Sequence, residues 1–206
     1  MTKETNDILN QAHKEMKNVP FFNSKRSVLF VEGESEEIFA NSFLDIEVVN
    51  YGGAGNLTYS KIEYTIRQYH DKGYKIYIQA DKDGKSENQN INKIISKGLV
   101  DRENIFCFKH DYETSVPVRI FHNILVDTGT IDDTLQNFEY GYDAKESIVK
   151  YVESKYNITI KKPLLSTKLC KFIDKSFEQI NPYYDDNFLK TEIGQFWYFL
   201  KTKIVH

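Results

Sequence analysis

Cysteine is scarce in this sequence of 206 residues, in which Cys107 and Cys170 are the only two. This number excludes a disulfide framework and a zinc site built from four cysteines, so we expect both thiols to be reduced. Long apolar runs are missing as well, since none approaches the roughly 18 residues that a membrane span needs. The first residues, MTKETNDILNQAHKEM, lack the apolar core of a signal peptide. We therefore expect a cytoplasmic protein with no membrane partner.

A strong excess of charge of one sign is also missing, because 30 acidic residues face 27 basic ones and the net charge is -3. This balance does not require a polyanionic partner, and contact with nucleic acid would depend on a local basic face or on bound metal ions. The sequence does contain 40% hydrophobic and 28% charged residues, a composition typical of globular proteins. A chain of this length buries one substantial core, with room for a small additional subdomain.

The first half of the chain alternates between short apolar runs and segments with helical spacing. After the first run, for example, Ile38, Phe39 and Phe43 recur at the spacing of a helix face. This order predicts strands joined by helical crossovers, and therefore a mainly parallel, Rossmann-like α/β sheet of four strands with helices on both faces. The predicted strands are SVLFV at 27–31, IEVVN at 46–50, KIYIQA at 75–80 and IFCF at 105–108.

Beyond about residue 115 the pattern becomes helical. We predict three units: an N-terminal helical segment over 1–25, an α/β domain over 26–115, and a helical extension over 116–206 that packs on the sheet domain. Pro163 and Pro182 lie where helix starts or breaks are expected. The predicted helices of the extension lie near 117–126, 143–156, 164–180 and 187–203.

Acidic residues recur where the predicted strands end. Glu32 follows the first strand, Asp81 and Asp83 follow the third, and Asp111 and Glu113 follow the fourth. The carboxyl ends of parallel strands meet at one edge of a sheet, where the loops converge. Alternation would send Asp81 and Asp83 toward one side if their segment stays extended. Carboxylates this close repel one another unless cations bind or some groups stay protonated, so Mg²⁺ or Mn²⁺ is the predicted partner.

A simpler interpretation of an acidic pair after a strand is a solvated turn or a helix cap. Acidic residues in a first helical turn interact favourably with the helix dipole. This interpretation explains Glu36 and Glu37 well. It explains less well why acidic residues recur at three separate strand ends.

Three segments in order, FVEGESEEIF, VVNYGGAGNL and IYIQADKDG, resemble the Toprim domain shared by topoisomerases, bacterial primases and overcoming-lysogenization-defect (OLD) nucleases. The glycine-rich turn and the second acid of EGESEE are most similar to the OLD-type branch. The resemblance covers about residues 26–115, and the ordered set is much more specific than any one motif. It implies that the four-stranded sheet is a Toprim fold and that 26–115 is a catalytic domain.

The resemblance also implies a metal site. Glu32, Asp81 and Asp83 match the core motif, and Glu36 matches the additional OLD-type acid four residues after the first. These residues would hold Mg²⁺ or Mn²⁺, with two ions expected. Glu32 is alternatively the general acid or base, as in topoisomerase-type members.

Two further positions match the OLD-type pattern more loosely. Glu113, in DYETSVP, resembles the later acid after the fourth strand, with Asp111 as a competitor. OLD-type domains also carry a lysine before a late helix, and in IKKPLLSTKLCKFI the spacing favours Lys162, with Lys161 and Lys168 as alternatives. Such a lysine would offset charge on the phosphate during catalysis.

The function implied by the resemblance is a divalent-metal-dependent nuclease that hydrolyses phosphodiester bonds of DNA or RNA, with a role in phage defence. The ABC-type ATPase region of the OLD family is missing, which suggests an ATPase on a separate polypeptide as a partner. The alternative function is a non-catalytic Toprim module that binds nucleic acid or a partner ATPase as a regulatory or toxin subunit.

The aromatic segment GQFWYFL, at 194–200, is too apolar for a free surface helix. Its commonest explanation is burial against the sheet domain. The second interpretation is an interface, including that of a homodimer, because exposed Trp, Tyr and Phe favour association.

Overall fold

The computed structural model describes residues 26–58, 60–178 and 186–204, so the predicted N-terminal helical segment lies outside the described residues. The strands are β1 (Ser27–Val31), β2 (Glu47–Asn50), β3 (Lys75–Asp81) and β4 (Ile105–Phe108). The α-helices are α1 (Glu34–Phe43), α2 (Ser60–Asp71), α3 (Gln89–Ser96), α4 (Val118–Asp127), α5 (Leu135–Glu139), α6 (Ile148–Tyr156), α7 (Lys162–Glu178), α8 (Asp186–Lys190) and α9 (Glu192–Phe199). Short 3₁₀ turns lie at Ala54–Thr58, Arg102–Asn104 and Glu113–Ser115, and a π-helical turn lies at Leu200–Ile204. Within these ranges, no helix combines the length and apolar character that a membrane crossing requires.

The four strands form one parallel sheet in the order β2-β1-β3-β4. Leu29 of β1 pairs with Val48 on one side and with Tyr77 on the other, and Asp81 at the end of β3 pairs with Phe108 of β4. The predicted α/β fold, with its parallel sheet of four strands and a helical C-terminal part, is confirmed. The chain moves from β1 to β2 in one direction and then crosses back to β3, so the order reverses between β1 and β3.

Alternating side chains of the strands divide the core into two layers. Leu29 and Tyr77 pack on the side that holds α1, α4, α6, α7 and α9, whereas Val28 and Ile76 pack on the side that holds α2 and α3. All four of these side chains are buried. Strands buried on both faces read as nearly continuous apolar runs, which explains why the sequence identifies them so well.

The aromatic segment near the C-terminus is buried within the chain. The ring of Phe196 in α9 stacks on Phe39 with centroids 5.6 Å apart, and it meets Phe108 edge to face at 5.2 Å. Each such pair contributes about 0.5–1.5 kcal/mol beyond the apolar area that it buries. Tyr198 points the other way and is 54% exposed. The segment therefore packs on the sheet, as its commonest explanation predicts.

The helical part differs from the prediction at three places. The predicted helix at 143–156 begins only at Ile148, because the side chain of Asp143 accepts a hydrogen bond from the Lys145 amide at 3.0 Å and holds a turn there. The predicted helix at 187–203 is divided, since the Thr191 hydroxyl accepts from the Gly194 amide at 3.1 Å and starts a new helix. The helix α5 was not predicted.

Candidate functional site

An open cleft of about 370 Å³ lies at the carboxyl edge of the sheet. It sits outside the ends of β1 and β3, where the strand order reverses. The connection after β1 covers one face of the sheet and the connection after β3 covers the other, so the two loops diverge and leave a crevice. The charged side chains that line it are Glu32, Glu34, Glu36, Asp81, Asp111, Glu113 and Lys162.

Glu32 and Asp81 are joined directly across the ends of β1 and β3. The Asp81 amide donates to Glu32 Oε2 at 3.0 Å. Gln79 makes a second link, because its Oε1 accepts from the Glu32 amide at 3.0 Å and its Nε2 donates to Asp81 Oδ1 at 3.0 Å. The Tyr51 hydroxyl donates to the carbonyl of Gln79 at 2.9 Å and lies 3.4 Å from Glu32 Oε2. The two acids predicted from separate motifs therefore share one hydrogen-bond network.

Glu113 reaches the same cleft from the 3₁₀ turn after β4. Its Oε1 accepts from the Ser35 hydroxyl at 3.1 Å, and its Oε2 accepts from Lys162 Nζ at 3.1 Å. The Glu113 side chain is 5% exposed, whereas that of Lys162 is 48% exposed. The ammonium group therefore stands at the mouth of the cleft and the carboxylate lies within it.

The buried Ser166 links the helices that carry Ser35 and Lys162. The Ser166 hydroxyl donates to the carbonyl of Ser35 at 2.6 Å and shares a hydrogen bond of 2.9 Å with the Tyr112 hydroxyl. Ser166 lies one helical turn after Lys162 on α7 and is fully buried. It thus fixes the start of α7 against α1, which carries Ser35.

Burial and mutual repulsion favour the protonated form of two of these acids. Loss of solvent raises the pKa of Glu36 to about 8, and the charges of Glu113 and Glu32 push it in the same direction. Loss of solvent also raises the pKa of Asp81 to about 9, reinforced by the charges of Glu36 and Glu32. Near neutral pH the cleft therefore retains protons that a cation could replace.

The lysine at the mouth of the cleft keeps its charge, whereas Glu36 and Asp81 keep their protons. Partial burial lowers the pKa of Lys162, but the charge and the hydrogen bond of Glu113 outweigh it, and the net pKa is raised. Lys162 is thus a cation across the physiological range.

The Glu36 carboxylate lies close to Gly33, which has no side chain to displace it. A Cβ at Gly33 would lie 3.0 Å from Glu36 Oε2, which is closer than nearly all real Cβ contacts. A side chain at Gly33 would therefore push the Glu36 carboxylate by a few tenths of an ångström from its place in the cleft. Glu36 itself is 5% exposed.

The structure does not bring Asp83 into the cleft. The extended segment ends at Asp81, and the Lys82 amide then bonds to the carbonyl of Phe108 at 3.0 Å. Asp83 adopts a left-handed conformation with φ 51°, and its side chain is exposed. The expectation that Asp81 and Asp83 face the same way required an extended chain, and this turn removes that condition.

The structure also shows where the alternative residues named from the sequence lie. Lys161 and Lys168 line a different cleft, of about 220 Å³, that α7 forms with α4. Asp111 lines the same cleft as Glu113, and its Oδ1 accepts from the Thr114 amide at 2.7 Å, which caps the 3₁₀ turn. The structure therefore brings Lys162 alone of the three lysines into contact with the acids.

The donor set fits Mg²⁺ or Mn²⁺ in kind, because these hard ions prefer carboxylate oxygens. Across 26–58, 60–178 and 186–204, however, no three His, Cys, Asp or Glu side chains stand close enough together to hold an ion as they are. Glu32, Asp81 and Glu113 instead accept hydrogen bonds from protein groups. An ion would therefore bind by replacing some of these donors.

Sequence reasoning missed the groups that hold the acids in place. Gln79 had a signal, since it is an amide within the buried run IYIQA, where an amide needs partners. Ser166 and Tyr51 had none, because a serine in a helix and a tyrosine after a strand are common.

Comparisons with known proteins add little. No family model matches the chain, and no curated protein matches it. Among solved structures, the chain is similar to the C-terminal region of the Burkholderia pseudomallei OLD protein, with 16% identity and a TM-score of 0.48 over 74% of this chain and 89% of that one. The architecture and the cleft described above stand on the chain's own strand order and contacts.

Proposed function

We propose that this protein is a divalent-metal-dependent nuclease that hydrolyses phosphodiester bonds of DNA or RNA. The observation that carries the proposal is the meeting of Glu32, Glu36, Asp81 and Glu113 with Lys162 in one cleft at the carboxyl edge of a parallel sheet. The motifs that resemble the Toprim domain supply the same acids, in the order of that domain.

The candidate ligands for Mg²⁺ or Mn²⁺ are Glu32, Glu36, Asp81 and Glu113, while the predicted role of Asp83 would require the turn after β3 to move. When bound, two such ions supply an activated water and stabilise charge on the leaving oxygen of a phosphodiester. The acidic cleft repels a polyanion by itself, so nucleic acid would enter only after the cations have offset its charge.

The chain's own groups have distinct tasks in this proposal. Asp81 and Glu36 release their protons as cations enter, since both hold protons near neutral pH. Lys162, already charged and half exposed, turns from Glu113 to a phosphate oxygen and stabilises the added charge of the transition state. Glu32 is only partly buried and remains the alternative general acid or base.

Two observations favour the second candidate, a non-catalytic module that binds nucleic acid or a partner ATPase. The described acids are not preorganised for an ion, and Glu113 already has a cationic partner in Lys162. If the protein is such a module, the Lys162–Glu113 contact is a permanent structural ion pair. A separate ABC-type ATPase is the proposed partner in either case.

A cleavage assay separates the two candidates. Purified protein is incubated with plasmid, linear DNA and tRNA in Mg²⁺, in Mn²⁺ or in EDTA, alone and with the products of neighbouring genes. We expect cleavage only with a divalent ion, loss of cleavage in Asp81→Ala and Glu32→Ala, and no effect of Glu103→Ala, an exposed acid before β4 at the opposite edge of the sheet. Absence of cleavage by the unaltered protein under all conditions would support the binding module.

A further inference from the structure

Gln79 is a fully buried polar side chain next to the acidic cleft. It follows Tyr77 and Ile78 in β3, and Ala80 separates it from Asp81. Burial of an amide without hydrogen-bond partners costs about 1–3 kcal/mol, so a polar residue at this depth needs a compensating contact at each end. Both ends of the Gln79 amide have one.

The orientation of the Gln79 amide follows from its surroundings. The Glu32 main-chain amide can only donate, so the atom 3.0 Å from it must be the oxygen of Gln79. Nε2 then necessarily faces Asp81 Oδ1, also at 3.0 Å. A neutral amide donates to this carboxyl group whether or not the group carries a proton.

These contacts close a ring between β1 and β3. Gln79 links the Glu32 main chain to the Asp81 side chain, and the Asp81 amide returns to Glu32 Oε2 at 3.0 Å. The Tyr51 hydroxyl holds the Gln79 carbonyl from the β2 side at 2.9 Å. The rotation of the Asp81 carboxyl group and the position of the Glu32 backbone are therefore set by one side chain that itself lies outside the cleft lining.

We propose that Gln79 is a positioning residue that sets the separation and orientation of Glu32 and Asp81 for a divalent cation, an inference that rests on the proposed metal-dependent function. Outer groups that orient metal ligands typically change metal affinity by about 10–100-fold when they are removed. Gln79 acts through the two acids and touches neither substrate nor ion.

The test is a calorimetric titration of the full chain with MnCl₂. Gln79→Met keeps the length and apolar body of the side chain and removes both hydrogen bonds. We expect the Kd for Mn²⁺ to rise at least tenfold at a temperature where both proteins are folded. The matched control is Tyr77→Phe, on the same strand and facing the same layer of the core, which removes a buried hydroxyl that donates to the Lys203 carbonyl far from the acids. That control should lower the melting temperature and leave the Kd within twofold.

Each outcome decides a different point. If the unaltered protein does not bind Mn²⁺, the proposed metal function fails and not merely the role of Gln79. If the unaltered protein binds Mn²⁺ and folded Gln79→Met binds it with a Kd less than threefold higher, the positioning role is wrong. If Gln79→Met does not fold, Gln79→Asn takes its place, since it keeps a buried amide but is one methylene too short to hold the Glu32 amide and the Asp81 carboxyl group together. For whichever of the two variants is measured, a rise of at least threefold in the Kd for Mn²⁺ supports the proposal, and a smaller rise overturns it.

Discussion

The main-chain amide of Asp81 donates to Glu32 Oε2 across 3.0 Å, so the ends of β1 and β3 are joined at the acids that the sequence motifs single out. The two residues are 49 positions apart in the chain. Only the parallel pairing of β1 with β3 brings them together. The chemistry proposed for this protein, and the behaviour expected of it below, depends on this junction.

Without metal, the protein should lose stability as the pH rises. The pKa of Glu36 is raised from 4.5 to about 8 and that of Asp81 from 3.8 to about 9, so the folded state holds protons that the unfolded chain releases. This contribution is full below about pH 4 and is lost as the pH passes through 8 and 9. We expect the melting temperature in EDTA to fall between pH 5 and pH 9.

Asp81→Asn tests the origin of that loss. The amide cannot ionise, so the variant should lose less stability over the same pH range and should be more stable than the unaltered protein at pH 9, by at least about 1 kcal/mol. Glu103→Gln, at an exposed acid far from the cleft, is the control and should follow the unaltered protein. The free energy of unfolding is measured by urea denaturation at several pH values. An equal decrease with pH in Asp81→Asn and in the unaltered protein would refute the assignment of the loss to Asp81.

Divalent cations should stabilise the protein more at high pH than at low pH. A cation competes with the protons on Glu36 and Asp81, and binding to the folded state raises stability by mass action. In 5 mM MnCl₂ we expect a larger rise in melting temperature at pH 8.5 than at pH 6.5. If the rise in melting temperature is independent of pH, or persists in Asp81→Ala, the ion binds outside the acidic cleft.

Lys162 should matter for cleavage and not for metal binding. Lys162→Gln removes the cation that stands against Glu113, so we expect cleavage to fall at least tenfold while the Kd for Mn²⁺ stays the same or decreases. Lys168→Gln changes a lysine of the neighbouring cleft and should reduce cleavage less than twofold. The reverse result would make Lys168 the functional lysine.

Ser166 should stabilise the junction of α7 with α1. Ser166→Ala removes a buried hydrogen bond of 2.6 Å to the Ser35 carbonyl, and we expect a loss of about 1–3 kcal/mol in the free energy of unfolding. Thr167→Ala is the matched control, because the Thr167 hydroxyl donates within α7, to the Pro163 carbonyl. A loss of stability as small as that of the control would show that the Ser166 contact contributes nothing.

Much of the fold is readable from the sequence because the strands are buried on both faces. SVLFV and IFCF are continuous apolar runs between polar segments, and the structure has strands at those residues, Ser27–Val31 and Ile105–Phe108. The short helix Leu135–Glu139 escaped prediction, because five residues give too few turns for a periodic pattern.

The candidate site was predictable to the extent that strand ends determine it. Glu32 and Asp81 lie directly at the ends of their strands, where the parallel sheet fixes their position. Asp83 lies two residues further on, where a left-handed turn decides the direction of the side chain and the spacing of residues no longer does. Contacts such as that of Gln79 with both acids arise from tertiary packing and carry no motif of their own.

The most direct test of the proposed metal site is a crystal of the full chain grown with MnCl₂ and measured at a wavelength where manganese scatters anomalously. If the acids of the cleft bind the ion, anomalous density lies within bonding distance of the Glu32 and Asp81 carboxylates, and none lies there in a crystal of Asp81→Ala. Manganese bound only on other surfaces, with no anomalous density beside either carboxylate, would contradict the proposed metal site.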